Sequence, residues 1–234
     1  ATSSSQNWRA TKLRHAPTGP DGLSHAPCHR NPEMPRCLPP CQAAGTLRPR
    51  LAAMKPLDQC LLYAFVDSAY LDDRDPVELC RHLCVGGADL VQFRAKDRPV
   101  DDIARLAKRL VPITAGAGVR LVINDHPQLA AEVGAPTAHL GQEDFFDAGH
   151  RHVDEVKPGG AALELGLSSH APKQAVRACE AGADYVAIGP VFATPTKPGR
   201  PPVTLDYVRW AAGNLDMPWF AIGGIDLDNL DDVL

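Results

Sequence analysis

Gln92, Arg94 and Lys96 occupy alternate positions in one short stretch. An extended chain turns alternate residues to the same side, so two cations would emerge together and repel unless an anion lay between them. Asn124-Asp125 and the run His139-Leu140-Gly141-Gln142-Glu143-Asp144 bring carboxylates to the same kind of position, just after an apolar run. Asp125 and Asp144 together suit a hard divalent cation such as Mg2+, which takes one or two protein carboxylates and fills its octahedron with water and substrate phosphate oxygens. Singly, either Asp reads as a helix N-cap, and Asp125 shortly before Pro127 fits that role. Glu143 is one residue out of phase and is expected to face away. His139 reads as a packed, hydrogen-bonded histidine rather than a general base, and no Ser-His-Asp or Cys-His arrangement stands above chance.

Three later stretches add anion-binding groups. Gly166-Leu167-Ser168-Ser169-His170 carries hydroxyls that bond a phosphate or cap the helix beginning near Pro172. The segment from Gly189 to Gly199 is too long and too rich in special residues for a mere connector, and its Thr194-Pro195-Thr196-Lys197 supplies two hydroxyls and a third cation. Ile222-Gly223-Gly224-Ile225 offers bare backbone N–H groups to a phosphate near a helix start. The inventory is one of cations, a metal site and phosphate cradles, without a convincing base.

The elements that must carry these groups follow from periodicity. Seven short apolar runs, Leu61–Val66, Leu90–Phe93, Leu121–Ile123, Thr137–Leu140, Ala162–Leu167, Tyr185–Ile188 and Trp219–Ile222, read as strands. Between and after them, apolar residues at three- and four-residue spacing predict helices over Pro76–Val85, Val100–Ala115, Pro127–Val133, Asp147–Lys157, Pro172–Ala181, Leu205–Leu215 and Leu227–Leu234. Strict alternation implies a parallel sheet. Gly87-Ala88-Asp89, Gly134-Ala135-Pro136 and Gly182-Ala183-Asp184 recur at two-unit intervals, each ending a helix and opening a strand. The expected fold is therefore an α/β (β/α)8 TIM barrel over residues 54–234, truncated after the seventh strand–helix unit, with the polar strand ends forming its mouth. A barrel open between its first and seventh strands would expose sheet edges. An open doubly wound sheet is the alternative, but no glycine fingerprint follows the first strand.

Residues 1–53 are different in kind. They hold eight prolines and seven Lys+Arg against only Asp21 and Glu33, which leaves this arm at +5 and the body at −9 of the total −4. Without a periodic apolar pattern, the arm is expected to be a disordered, basic, Pro-rich extension. A reading as sequence upstream of a start at Met54 is preferred over a transit peptide, which would be amphipathic. The seven cysteines are odd in number, and three lie in the arm, so free thiols in a reducing, cytoplasmic setting are expected. No apolar stretch reaches membrane-span length, and the acidic body argues against a nucleic-acid partner. A homo-oligomer is compatible with the sequence.

Taken in order, Gln92-x-Arg94-x-Lys96, Asn124-Asp125, His139-Leu140-Gly141-Gln142-x-Asp144, Gly166-x-Ser168, Gly189-Pro190 with Thr194-Pro195-Thr196-Lys197, and Ile222-Gly223-Gly224-Ile225 resemble the thiamine-phosphate synthase family over roughly residues 60–234. The resemblance implies a (β/α)8 barrel joining a hydroxymethylpyrimidine diphosphate to a thiazole phosphate with Mg2+, forming thiamine monophosphate and pyrophosphate. It implies that Gln92 to Lys96, with Phe93 and Ala95 at the variable positions, and Asn124, Ser168 and Lys197 hold the pyrimidine diphosphate. Asp125 and Asp144 would ligate Mg2+, and Thr194, Pro195, Thr196 and Gly224 would hold the thiazole phosphate. Arg94, Lys96 and Lys197 would be the catalytic cations, because the family ionises the pyrimidine–diphosphate bond before the thiazole nitrogen attacks. An isomerase resembling the thiazole tautomerase of the same barrel type is the runner-up; it needs no diphosphate-bound metal, and the two Asp residues count against it. A non-catalytic phosphate-ligand binder is the third reading.

Overall fold

In a computed structural model, the described residues are 10–12, 53–159, 162–194 and 201–234. Seven parallel strands form in the expected order: β2 (Leu62–Asp67), β3 (Leu90–Arg94), β4 (Arg120–Asn124), β5 (Thr137–Leu140), β6 (Glu164–Ser169), β7 (Tyr185–Ile188) and β8 (Trp219–Ala221). Each pairs with its neighbour in sequence, as a curled parallel sheet requires. A short strand, β1 (Ala10–Lys12), precedes them and pairs antiparallel with β2, Ala10 opposite Ala64 and Lys12 opposite Leu62. The arm expected to lack structure thus contributes a strand that covers part of the β2 edge; residues 1–9 and 13–52 lie outside the described ones.

Helices α1 (Pro76–Val85), α2 (Val100–Ala117), α3 (Pro127–Val133), α5 (Pro172–Glu180) and α6 (Thr204–Asn214) match the expected segments to within a few residues. On α2, Ile103, Ala107, Leu110 and Thr114 are buried at the spacing that the 3.6-residue period dictates, against the outside of the sheet. The helix expected over Asp147–Lys157 is a correction. The chain turns helical at once after β5, as α4 (Gln142–Phe146), which buries Phe145 and Phe146. A left-handed Gly149 (φ 92°) follows, and then a single 3-10 turn, Val153–Glu155, held by a capping box between His152 and Glu155. The final helix is also shorter, with α7 covering Leu230–Val233.

The Gly-Ala-Asp repeat has a mechanical explanation. Gly182, at φ 77°, ends its helix in the left-handed region that glycine enters without a Cβ clash. The next residue, Ala183, is buried, and Asp184 accepts a hydrogen bond from the backbone N–H of Leu165 at 2.7 Å and another from Lys157 Nζ at 2.9 Å. Asp89 does the same two repeats earlier. It accepts from the backbone N–H groups of Leu61 and Leu62 at 2.7 and 3.0 Å and from Lys55 Nζ at 2.5 Å. Each Asp staples the start of its strand to the start of the preceding one, at the amino end of the barrel. Between the staples, Arg120 contacts Glu164 and donates to the Lys55 carbonyl at 3.0–3.2 Å. In parallel barrels this end serves stability, which frees the opposite end for chemistry.

Inward-facing side chains fill the barrel above that floor. Tyr63, Tyr185 and Phe220 meet edge to face with centroids 5.1–5.9 Å apart, and Phe65 stacks on Tyr63 at 5.1 Å. Gly166 lies beside Tyr185 in register, and a Cβ there would stand 2.0 Å from the Tyr185 ring. The missing side chain is what lets the ring enter.

Candidate active site

The carboxyl ends of β2 to β8 gather most of the residues singled out above that the structure describes. Strand pairing sets Asp67 opposite Arg94, and Arg94 donates to the Asp67 carboxylate at 2.9 Å, with both side chains largely buried. Asp67 also accepts from the backbone N–H of Ala69 at 3.1 Å. Arg94 is therefore a fixed cation, its guanidinium orientation set by a buried carboxylate that the sequence reading did not single out.

Two residues on, Lys96 is half-exposed and reaches sideways along the mouth. Its Nζ stands 2.8 Å from Asp125 Oδ2 and 3.7 Å from Asp144 Oδ2. The structure thus brings Asp125 and Asp144 to one cationic group, and neither is a helix cap: His126 and Gly141 occupy the N-cap positions of α3 and α4. The local backbone explains both placements. Asp125 adopts φ 65°, a conformation that Asp tolerates better than most residues, and its N–H donates to the His139 carbonyl at 2.8 Å. Gly141 leaves room for Asp144 to fold back, since a Cβ on it would lie 2.5 Å from Asp144 Oδ2.

Two carboxylates sharing one cation are the donor set that Mg2+ accepts when a substrate supplies the remaining oxygens. Among the described residues no group of three or more His, Cys, Asp or Glu could hold a metal by itself. The two carboxylates have the chemistry to share a divalent cation with an anionic ligand that supplies the remaining oxygens.

Beneath the mouth, Gln92 is buried and donates through Nε2 to the Tyr63 hydroxyl at 2.6 Å. Tyr63 meets Tyr185 at 2.9 Å, and Tyr185 meets His139 Nδ1 at 3.1 Å. His139 is packed and hydrogen-bonded, as expected. Burial pushes the Tyr63 and Tyr185 hydroxyls well above the ordinary tyrosine value, so both remain neutral. Neither tyrosine was foreseen, although each stands inside an apolar run on the inward phase.

Of the two serines after β6, Ser168 faces inward and its hydroxyl lies 3.5 Å from the Leu140 carbonyl, while Ser169 faces outward and bonds Tyr207 of α6 at 2.6 Å. Neither caps α5, whose N-cap is Ala171. His170 contacts the Gly189 carbonyl through Nδ1, and its Nε2 stands 3.8 Å from Glu143. Glu143 thus turns toward the β6 end rather than away.

Asn124 ends β4 in register with His139. Thr194 is the last described residue of its loop on that side; Pro195, Thr196 and Lys197 lie outside the described residues. The start of that loop is tied to the β8 end by Val191 N–H to Ile222 O at 2.9 Å and Phe192 N–H to Gly223 O at 3.0 Å. Gly224 sits against the Ala193 carbonyl, where a Cβ would come within 2.7 Å. The variable residues Phe93 and Ala95 are both buried.

Residues 62–234 match the family model described as thiamine monophosphate synthase. A thiamine-phosphate synthase of Thermus thermophilus is 49% identical over 150 residues, which cover 64% of this chain and 69% of the relative. One of Lawsonia intracellularis is 34% identical over 175 residues, 74% of this chain and 78% of the relative. Against one of Gloeobacter violaceus, identity is 42% over 190 residues, 81% of this chain but only about half (51%) of the relative. Among solved structures, a thiamine phosphate pyrophosphorylase from Pyrococcus furiosus is similar with a TM-score of 0.61 at 26% identity, over 73% of this chain and 80% of that one.

Proposed function

The chain belongs to the thiamine monophosphate synthase family, and from that premise we propose that it joins a hydroxymethylpyrimidine diphosphate to a thiazole phosphate at the mouth of this barrel. The carbon–oxygen bond between the pyrimidine methylene and the diphosphate breaks, the thiazole nitrogen bonds to that carbon, and pyrophosphate leaves. Thiamine monophosphate is the product. The isomerase and non-catalytic alternatives are not favoured, because the matched relatives carry the synthase name.

The observation that carries the reading is the juxtaposition of Asp125 and Asp144 at Lys96, beside the Arg94–Asp67 pair. The reaction needs charge on the departing diphosphate, not a proton shuttle, and this mouth supplies charge. Arg94, oriented by Asp67, binds diphosphate oxygens, and Lys96 and Lys197 add two further cations. Asp125 and Asp144 would hold Mg2+, which would supply additional positive charge to the diphosphate. Gln92, Asn124 and Ser168 line the pyrimidine side, with the Gln92 amide fixed by Tyr63. Thr194, Pro195, Thr196 and the Gly224 backbone take the thiazole phosphate. In the finer reading of the fold, the seven parallel units belong to an eight-unit barrel.

The four cysteines among the described residues are all free, which supports a reducing, cytoplasmic setting. No helix among those residues is long and apolar enough to cross a membrane.

The test is direct. The chain is incubated with both substrates and Mg2+, and pyrophosphate and thiamine monophosphate are quantified. Their appearance in equal amounts is expected; absence of either overturns the assignment.

A further inference from the structure

Arg94 and Lys96 leave the same strand end, yet the fold treats them differently. Arg94 is held by a buried carboxylate on the adjacent strand, and its side chain is only 19% exposed. Lys96 is 49% exposed, and its partners are the two carboxylates of the proposed metal site. Its ammonium, 2.8 Å from Asp125 and 3.7 Å from Asp144, stands where a cation shared by the two acids must stand. A lysine head is a compact point charge on four rotatable methylenes, free to change partners where a forked, clamped guanidinium is not.

We infer that Lys96 is an exchangeable counter-ion for the acid pair. Without a diphosphate it neutralises Asp125 and Asp144 and competes with a divalent cation for them. An arriving diphosphate offers the ammonium oxygens of higher charge, and Lys96 swings to them and leaves the carboxylates to the metal. The two ligands are thereby coupled: each is bound more tightly when the other is present, and by the same factor in both directions. The enzyme avoids committing its acids to a metal while no diphosphate is bound. This inference rests on the metal assignment proposed above.

The backbone around the acids makes the exchange economical. Asp125 is fixed by its N–H bond to the His139 carbonyl, and Asp144 is folded back over Gly141. The carboxylates need not move when the cation changes; only the lysine does.

The experiment measures Mn2+ binding to the full 234-residue chain by the loss of the free-ion electron paramagnetic resonance signal, with no phosphate in solution. The proteins compared are the parent chain, Lys96→Met, Lys96→Arg, Arg105→Met, Asp125→Asn and Asp144→Asn. Arg105→Met removes the same charge from the exposed outer face of α2, and circular dichroism checks that each variant is folded.

Lys96→Met is expected to tighten Mn2+ binding about tenfold, within the usual range for coupled sites. Lys96→Arg, which keeps the charge, and Arg105→Met, which removes it elsewhere, are expected to leave it within about twofold of the parent on the same scale. Unchanged or weaker binding in Lys96→Met, with binding still lost in the two Asp variants, overturns the exchange while leaving the metal assignment and the synthase reading intact. Mn2+ binding that is indifferent to Asp125 and Asp144 overturns the metal assignment and the exchange together. Equal tightening in Arg105→Met reduces the effect to net charge and also overturns it.

Discussion

Tyr63 and Tyr185, separated by 122 positions in the chain, meet hydroxyl to hydroxyl at 2.9 Å inside the barrel. The contact links Gln92 on one side to His139 on the other, a line of four buried polar side chains crossing the core directly beneath the mouth.

Replacing Tyr63 by Phe keeps the ring packing but takes from the buried Gln92 amide the hydroxyl it donates to, while the Tyr185 hydroxyl keeps His139 as its other partner. A loss of about 1–3 kcal/mol in stability is expected from the unsatisfied buried amide, measured by urea denaturation. Because the Gln92 amide is then free to turn, KM for the pyrimidine substrate should rise more than kcat falls. An unchanged KM would show that Gln92 needs no anchor.

Gly166→Ala should be a strongly damaging single-methyl change. The new Cβ would lie 2.0 Å from the Tyr185 ring, and a displaced ring costs about 3 kcal/mol by the usual scale of overpacking. Tyr185→Leu in the same chain should recover part of that loss. A thermal-denaturation cycle over the two sites checks it, since independent losses would add.

Asp125→Asn and Asp144→Asn should each lower turnover about a hundredfold or more, the scale of losing several kcal/mol of charge stabilisation in the transition state. Melting temperature should hold. Asn is the informative replacement at 125, because at φ 65° other side chains would add backbone strain. Parent-like activity in both variants would remove the metal assignment.

Strong acid should weaken the Asp89 staple at the amino end of the barrel. Burial works against the Asp89 charge, but the hydrogen bonds from Lys55, Leu61 and Leu62 outweigh it and hold the carboxyl below its ordinary value. Its stabilisation is fully present above the unfolded value of about 3.9 and is lost as pH falls through the lower folded value. Glu164 runs the other way, pushed up by burial despite Arg120. Comparing Asp89→Asn with the parent isolates the former: a difference of about 2 kcal/mol near neutrality should shrink toward zero in strong acid. A difference that does not vary with pH would assign the cost to packing.

Much of this was legible before any coordinates. Thr137–Leu140 and Tyr185–Ile188 are strands with the bounds their apolar runs suggest, because a parallel strand buried on both faces is apolar throughout. Asp125 and Asp144 were legible as a pair because they come shortly after neighbouring strands, Asp125 directly after β4 and Asp144 in the first turn of the helix that follows β5. The helix expected over Asp147–Lys157 failed for a local reason. Phe145 and Phe146 are buried immediately before that segment begins, and the left-handed Gly149 interrupts it. Asp67 escaped notice because its importance depends on register: only pairing β2 with β3 shows that it faces Arg94. Gly166 looked like part of a phosphate motif, whereas its immediate reason is the ring of Tyr185, 19 residues away. Such roles are pairwise, and spacing along one chain does not reveal them.

The aromatic filling formed by Tyr63, Phe65, Tyr185 and Phe220 plugs the middle of the barrel. If both substrates of the proposed reaction enter at the mouth, the one seated deeper, near Gln92, would have to arrive first and leave last. Their order of binding would then follow from architecture before affinity.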